Sequence, residues 1–335
     1  MSSSLAETPR LAATARGARD GGLHLAFIGC GSIAAQHAQR LAGFDNVRFS
    51  FASRSQTRAA DFSTRLGGVR AYGSYGAALA SEEIDAAVIT TPTAQHLPLS
   101  LRALAAGKDV IVEKPAFLRS TDVDLAEAAA RASGRRVLVA ENYAYKPLVG
   151  VLRRAIEAGA IGEVRYLTVN ALKSRRPGGW RDDEALAGGG ALLEGGIHWI
   201  NLIGSLGLTV ESVQGYRPGG LEGTERSMLV VAQFEEGAVG TLHHAWDTPS
   251  LLRGLRISRI YGSQGSIAFE SNGLFVLVRG RRTRLIVPTL RDIGGYRAMF
   301  ADFIACLGDG CQPRMTLAQA RRDLELVEAA YRSLP

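Results

Sequence analysis

A turn rich in small residues near the N-terminus limits the folds open to this 335-residue chain more than any other feature. The apolar run Leu23–Ile28 predicts a buried strand, and residues 29–34 then read Gly-Cys-Gly-Ser-Ile-Ala at the start of a predicted helix. This GxGxxA spacing is typical of a dinucleotide-binding turn: the first glycine permits the tight bend, and the second lets the backbone approach a pyrophosphate. The helix N-terminus faces the same anion. The predicted cofactor contacts here are Gly29, Gly31, Ser32 and Ile33.

The second predicted strand, Val47–Ala52, ends in Ser53 and Arg54. A chain that binds NAD usually has an acid at this point, about twenty residues after the glycines, where it holds the ribose hydroxyl. A small hydroxyl followed by an arginine instead suits the extra phosphate of NADP. An arginine that only stacks on adenine would be indifferent to that phosphate. We therefore favour NADP over NAD, with Ser53 and Arg54 as contacts.

Strands and helices continue to alternate up to about residue 145. Further helices are predicted at 57–66, 95–106 and 121–133, and further strands at 86–90, 109–112 and Val137–Ala140. Repeated β-α-β units of this length predict right-handed crossovers and an α/β fold with a parallel, doubly wound Rossmann sheet. We expect a dinucleotide-binding domain over residues 21–145. Residues 1–20, rich in Ser, Ala, Arg and Thr, are expected to form a disordered extension.

An acid, a base and a proline follow the strand predicted at 109–112. Glu113 and Lys114 would emerge beyond the carboxyl ends of the strands, where ligands of open α/β sheets bind. Pro115 fixes the backbone after the lysine and is a candidate for a cis peptide bond. A surface ion pair beside a turn is the alternative interpretation of this tripeptide.

The loop after the strand at 86–90 carries Thr91, Pro92 and His96. A threonine there can face a ribose or a nicotinamide, whereas a lone histidine more often caps or packs against a helix. We predict cofactor contacts in this loop and at the end of the next strand. They are Thr91, Pro92, His96, Glu113 and Lys114.

The second half of the chain has a different pattern. Short strands are predicted at 165–172, 228–234, 238–245, 256–261, 266–270, 274–278 and 284–287, with a hairpin at 235–237. We expect an α+β domain over residues 146–335 with a largely antiparallel open sheet, for substrate binding and oligomerisation. Helices are predicted at 296–307 and Leu317–Arg332, and the last of them could pack back on the first domain.

A glycine-rich stretch at 188–201 contains the strongest candidate for acid-base chemistry. Its apolar positions fit a packed helix, but several glycines in one helix indicate close approach to another group. Glu194 and His198 are four residues apart, hence on one helical face, where a carboxylate can orient an imidazole that acts as a general base. The upstream basic loop includes Trp180 and Arg181, which could stack a sugar ring and hold an anion, although a solvated loop is the alternative for Lys173 and Arg175.

Four motifs in order resemble those of the glucose-fructose oxidoreductase / inositol dehydrogenase (Gfo/Idh/MocA) family. They are Gly29-x-Gly31-x-x-Ala34, Thr91-Pro92-Thr93-x-x-His96, Glu113-Lys114-Pro115 and Glu141-Asn142-Tyr143. The resemblance runs from about residue 23 to near the C-terminus. The family pattern around the histidine has two aspartates, and this chain has Glu194 and Asn201 in their places. The departure leaves the substrate class and the part played by Glu194 open.

The resemblance implies an NAD(P)-dependent enzyme that interconverts a secondary alcohol and a ketone on a sugar, cyclitol or sugar derivative. It implies catalytic residues Lys114, His198 and Glu194, and substrate contacts at Lys114, Asn142, Tyr143, Trp180, Arg181 and His198. Family members often pair sheet to sheet, and the strands at 228–234 and 238–245 are apolar on both faces. We therefore expect a homodimer or a homotetramer.

Composition excludes several other classes of protein. The net charge of +7 comes from scattered basic residues with no nucleic-acid motif, and no apolar run could span a bilayer. Three cysteines make neither a metal spacing nor a disulfide framework, which fits a cytoplasmic protein. His243 and His244 are adjacent in a predicted strand and face opposite sides, so no metal site is expected.

Two rival functions share this fold. An NAD-dependent glycosidase would release free sugar without net reduction of the cofactor. A ligand-sensing regulator would bind nucleotide and a protein partner without catalysis. A sensor needs neither proton transfer nor hydride alignment, so the presence of Lys114 and His198 favours an enzyme.

Overall fold

Two sheets organise the part of the chain that the computed structural model describes, which comprises residues 22–174, 178–219, 223–249 and 254–334. The disorder expected for residues 1–20 lies outside the described residues. The first sheet is formed by residues before 141, and the second by residues after 163.

The first sheet has six parallel strands in the order β3-β2-β1-β4-β5-β6. The strands are β1 Leu23–Ile28, β2 Val47–Ala52, β3 Ala71–Tyr72, β4 Ala86–Ile89, β5 Asp109–Glu113 and β6 Val137–Ala140. Every residue of β4, β5 and β6 is buried, as expected for strands covered on both faces. The predicted doubly wound Rossmann sheet is confirmed.

Five helices connect these strands. They are α1 Ser32–Leu41, α2 Gln56–Leu66, α3 Tyr75–Ala80, α4 His96–Ala105 and α5 Ser120–Ser133. The Ser55 hydroxyl caps α2 by accepting a hydrogen bond from the Arg58 amide, and Gly67 ends the same helix in the left-handed region. The sequence analysis missed β3 and α3 because two and six residues are too few for a hydrophobic period to emerge.

The second sheet has eight strands in the order β14-β13-β12-β11-β7-β10-β9-β8. The strands are β7 Val164–Leu172, β8 Val210–Tyr216, β9 Ser227–Phe234, β10 Val239–Ala245, β11 Ile257–Gly262, β12 Gly265–Glu270, β13 Val276–Arg279 and β14 Thr283–Ile286. All pairs are antiparallel except β7 with β10, so the largely antiparallel sheet is confirmed. Strand β8 was missed because a single residue of it, Gly215, is buried.

Five further helices follow the first sheet in the chain. They are α6 Pro147–Glu157, α7 Glu184–Ala187, α8 Ile197–Ile203, α9 Tyr296–Asp309 and α10 Leu317–Arg332. Helix α10 packs on both halves of the chain: it contacts β8 and α8, and its Glu328 carboxylate accepts hydrogen bonds from the amide and hydroxyl of Ser120 at 2.7 and 2.9 Å. The boundary at residue 146 stays a prediction. Among the described helices, none is long and apolar enough to cross a membrane.

One face of the second sheet is open. Tyr166 in β7 is 62% exposed and lies between Val239 of β10 and Tyr261 of β11, both of which are also exposed. Leu277 and Leu285 extend the same face across the hairpin of β13 and β14. Several large apolar side chains exposed on one sheet face are typical of a protein interface.

We therefore expect at least a dimer in solution, formed through this face. Light scattering at micromolar concentration should give a multiple of the 35.7 kDa chain mass. Tyr166→Glu should shift the mass toward the monomer, because it places a charge at the centre of the apolar face. The matched control is Val69→Glu, at an exposed apolar residue of the first half, which should leave the mass unchanged. A monomeric parent protein would contradict the prediction.

Candidate active site

The turn after β1 has the geometry that a dinucleotide requires. Gly29 has a φ of 113°, and a Cβ there would lie 3.1 Å from the Thr90 carbonyl oxygen. The corresponding position on Gly31 has no atom within 4 Å, so the backbone is open to a ligand on that side. No side chain caps α1, which leaves the amides at its N-terminus available to an anion. The Thr91 hydroxyl beside this turn is buried, and no described residue hydrogen-bonds it.

Two arginines stand near the end of β2. Arg54 is exposed, and the Arg58 Nε donates a 2.9 Å hydrogen bond to the carbonyl of Cys30 inside the glycine turn. The guanidinium of Arg58 is thus fixed at the predicted cofactor site. Sequence reasoning missed Arg58, although its position one helical turn after Arg54 was a usable signal. The open turn, the uncapped start of α1 and these two arginines are residues that would hold a bound NAD(P).

His96 and Glu113, predicted to contact the cofactor, are buried inside the fold. The His96 ring lies 3.0 Å from the Pro115 carbonyl oxygen and 2.9 Å from that of Thr91, and thereby links the loops after β5 and β4. The Glu113 carboxylate pairs with His37 of α1 and accepts a hydrogen bond from the Lys114 amide. Burial alone would raise the pKa of Glu113, but His37 and Lys114 outweigh it and lower the pKa below its usual value.

Lys114 links the two halves of the chain. The Lys114–Pro115 peptide bond is cis, in line with the candidate cis bond inferred from the sequence. The Lys114 ammonium donates a hydrogen bond to the backbone carbonyl of Glu194, one turn before His198. The lysine is half-buried, and its charge acts on the His198 ring.

His198 is held by Glu141 at the end of β6. The carboxylate oxygens of Glu141 lie 2.6 and 2.9 Å from Nδ1 of the imidazole, and the Tyr143 ring stacks on it at 4.4 Å and 14°. Burial lowers the pKa of His198 below its ordinary value, and the Lys114 ammonium adds to this while Glu141 opposes it. A neutral ring that donates from Nδ1 keeps Nε2 as a proton acceptor. The described residues make no hydrogen bond to Nε2.

Glu194 was predicted to orient His198 or to bind a substrate hydroxyl. In the structure its carboxylate forms a 2.6 Å ion pair with Arg181 Nε, and Glu141 makes the contact with the imidazole. The backbone of Leu192–Gly196, just before α8, is a π-helical turn. A role of Glu194 in binding a substrate hydroxyl stays a prediction. The Arg181 guanidinium also lies 4.4 Å from the Trp180 ring centroid.

The glycines before this turn allow close approach, as the sequence indicated. A Cβ on Gly190 would lie 1.5 Å from a carboxylate oxygen of Glu225, and one on Gly188 would clash with Leu118. Glu225 accepts hydrogen bonds from the Leu192 amide at 2.7 Å and the Tyr331 hydroxyl at 2.9 Å. Burial raises the pKa of Glu225 to about 7. Sequence reasoning missed Glu225, since nothing local connects it to residue 192.

Asn142 and Asn201 face away from His198. The Asn142 amide donates a 2.6 Å hydrogen bond to the Gly294 carbonyl, and the Asn201 amide donates one of 2.7 Å to Asp323 of α10. The predicted substrate contact of Asn142 would therefore compete with its structural bond. Asn201 stands where the family pattern has an aspartate, and its bond to Asp323 joins α8 to α10.

Behind the π-helical turn lie polar ring atoms without protein partners. The nitrogens of His244 and Trp246 Nε1 are buried, and the described residues hydrogen-bond none of them. Both rings lie against Gly195, where a Cβ would be 3.2 Å from His244 Nε2 and 3.3 Å from Trp246 Nε1. Burial lowers the pKa of His244 to about 3, so it is neutral at physiological pH. Within the described residues, no group of three or more His, Cys, Asp and Glu could hold a metal ion.

Position 190 has no room for a side chain beside Glu225. Gly190→Ala should lower the free energy of unfolding by about 1–3 kcal/mol, because the added methyl group displaces Glu225 from the start of the π-helical turn. The matched control is Gly308→Ala in α9, where a Cβ meets open space and should be neutral or stabilising. Urea unfolding monitored by circular dichroism measures both. Equal stability of the two variants would mean that the close approach does not constrain this turn.

Comparison with known proteins identifies both halves of the chain. A family model described as "Oxidoreductase family, NAD-binding Rossmann fold" (GFO_IDH_MocA) matches residues 23–141. A second, described as "GFO/IDH/MocA C-terminal domain", matches residues 149–268. Together they cover most of the chain.

Individual relatives match over most of their length. "Putative UDP-kanosamine synthase oxidoreductase subunit" of Amycolatopsis mediterranei is 29% identical, over 76% of this chain and 80% of the relative. Levoglucosan dehydrogenase of Pseudarthrobacter phenanthrenivorans is 24% identical, over 84% of this chain and 79% of the relative. The crystal structure of GenD2 from gentamicin A biosynthesis, in complex with NAD, superposes with a TM-score of 0.82 at 25% identity, over 95% of this chain and 96% of that one.

Proposed function

The chain belongs to the Gfo/Idh/MocA family of NAD(P)-dependent oxidoreductases, and from this premise we propose that it interconverts a secondary alcohol and a ketone on a sugar or sugar derivative with His198 as the proton acceptor. The observation that carries the proposal is the Glu141 carboxylate on Nδ1 of His198, which leaves Nε2 as the acceptor. When bound, the nicotinamide supplies the hydride acceptor or donor.

The residues around His198 support a division of roles. In oxidation, Nε2 accepts the hydroxyl proton of the substrate, and in reduction it returns that proton. The Lys114 ammonium stabilises the negative charge that develops on the same oxygen and keeps the substrate in line. Glu141 holds the imidazole in one tautomer, so the acceptor nitrogen is fixed before the substrate arrives.

An anionic group on the substrate fits the entrance to the site. Arg181 uses its Nε for Glu194, and its terminal amino groups make no hydrogen bond to any described residue. A carboxylate holding one edge of a guanidinium presents the other edge to a phosphate or carboxylate. The name of one relative, a UDP-kanosamine synthase subunit, fits a nucleotide-linked sugar as substrate. The name of another, levoglucosan dehydrogenase, fits an uncharged sugar. We propose Trp180 and Arg181 as the substrate contacts that decide between these classes.

A substrate screen that follows nicotinamide absorbance tests the activity. Free sugars, sugar phosphates and sugar nucleotides should be compared. We expect reversible reduction and oxidation of the nicotinamide with at least one of these classes. Release of free sugar without net change of the cofactor would instead indicate a glycosidase. Binding of nucleotide without turnover of any candidate would favour a sensor.

The roles of His198 and Lys114 give a prediction about turnover. His198→Ala and Lys114→Ala should each lower kcat by about 10²–10⁴-fold, the usual contribution of a positioned acid-base group. Both variants should still bind the cofactor, because the anion site lies at residues 29–34. Fluorescence titration provides this control. Near-full turnover of either variant would show that the role given to that residue is wrong.

The arginines near β2 give a prediction about the cofactor. NADPH should bind more tightly than NADH, and Arg54→Ala or Arg58→Ala should weaken NADPH binding about tenfold, because each removes a charge-assisted contact to the 2′-phosphate. Arg65→Ala on α2, where the arginine pairs with Asp61, is the matched control and should change neither affinity. Equal or reversed affinities of the parent for the two cofactors would refute the assignment.

A further inference from the structure

A cation and the catalytic imidazole lie over the same aromatic ring. The Lys146 Nζ is 4.3 Å from the centroid of the Tyr143 ring, and the His198 ring stacks on it at 4.4 Å. Two groups at these distances cannot share one face of a phenol, so they occupy opposite faces. The result is a layered arrangement of ammonium, phenol and imidazole.

One short segment builds this arrangement. Residues 141–146 follow β6 as a single 3₁₀ turn, and they supply the Glu141 carboxylate, the Tyr143 ring and the Lys146 ammonium. The Tyr143 amide donates a 2.9 Å hydrogen bond to Glu141, which ties the ring to the carboxylate that holds His198. The Trp199 ring packs against the Tyr143 ring nearly at a right angle, with the centroids 5.0 Å apart and an interplanar angle of 81°.

Lys146 is a cationic residue in the interior of the protein. It is buried, and no described carboxylate lies within ion-pair distance of its ammonium. Burial lowers its pKa to about 8, so the ammonium form still dominates at neutral pH. An unpaired buried cation costs free energy, which the quadrupole of the phenol ring offsets in part.

The physical effect of this cation on His198 has a definite sign. The ammonium and the imidazole are no more than about 9 Å apart, a distance at which a unit charge inside a protein shifts a titration by roughly half to one pH unit. The shift disfavours the imidazolium. Glu141 has the opposite effect, because a carboxylate that orients the ring also favours its protonation.

Other charges act on the same pair of groups and must be held constant in any test. Those that act on His198 are Glu141, Lys114 and Glu194, with neutral His244 nearby, and those that act on Lys146 are Glu270, Arg256 and Glu141.

We propose that Lys146 is a positioning residue for this reaction: its ammonium, held across the Tyr143 ring, keeps the His198 imidazole neutral so that Nε2 can accept the substrate proton. The carboxylate of Glu141 then aligns the ring without leaving it protonated. This inference rests on the role of His198 as the proton acceptor.

The test follows the His198 ring directly by NMR in the free enzyme labelled at histidine. His198→Asn identifies its signal. Lys146→Met and Lys146→Gln should raise the titration midpoint of His198 by about half to one pH unit, because the opposing cation is gone. Lys146→Arg keeps the charge, so the titration midpoint of His198 in this variant should lie within about 0.2 pH units of that in the parent. Arg154→Met, an exposed residue of α6, is the control for net charge and should cause no shift.

Kinetics separates this inference from the function on which it rests. In Lys146→Met and Lys146→Gln, the midpoint pH of the acid limb in the kcat/KM profile should rise by as much as the NMR midpoint of His198. The plateau value of kcat should stay within a few fold of that of the parent. Folded neutral variants whose His198 titrates as in the parent would overturn the role of Lys146. A shifted NMR midpoint with an unmoved acid limb would overturn the role of His198 as base, and with it the positioning role of Lys146.

Discussion

The hydrogen bond between Glu141 and His198 is the interaction on which the site depends. Its two partners come from different halves of the chain, one from the end of β6 in the parallel sheet and the other from α8 beside the second sheet. The tautomer of His198 that carries its proton on Nδ1 is therefore fixed only when β6 and α8 are packed together. Lys114 crosses the same boundary toward Glu194, and α10 packs on α5 and α8 behind it. Because these links run between the halves, the His198 ring is held in this position only in the packed fold.

Much of this architecture could be predicted from local pattern. The glycine turn, the alternating elements and the acid-lysine-proline end of β5 each combine a sequence signal with a definite backbone requirement, and the structure contains all three. The position of His198 was also readable, because a histidine in a glycine-rich stretch is unusual. The partner of that histidine was not, because a helical spacing of four pointed to Glu194, whereas Glu141 lies 57 residues earlier in the chain, at the end of β6. No local spacing connects the two residues before the elements are placed.

Three of the residues that sequence reasoning missed share one property. His37, Glu225 and Asp323 are polar groups in the interior, each bonded to a residue far away along the chain. Hydrophobic periodicity treats such residues as surface, so their burial is invisible until the elements are placed. Their bonds nevertheless fix the positions of α1, the π-helical turn and α8, since a buried polar group left without its partner would be costly. Burial of apolar residues thus brings the sheets and helices together, and the interior polar bonds fix where the π-helical turn and α8 lie.

The lone parallel pair of the second sheet places two connecting segments side by side. Because β7 and β10 run in the same direction, the segments that follow them leave from one edge, where Ser174 pairs with Asp247 in an isolated bridge. Among the described residues, neither segment contributes to the His198–Glu141 bond. Under the proposed function, substitutions of Trp180 and Arg181, in the segment after β7, would change substrate recognition and leave the proposed proton acceptor held as before.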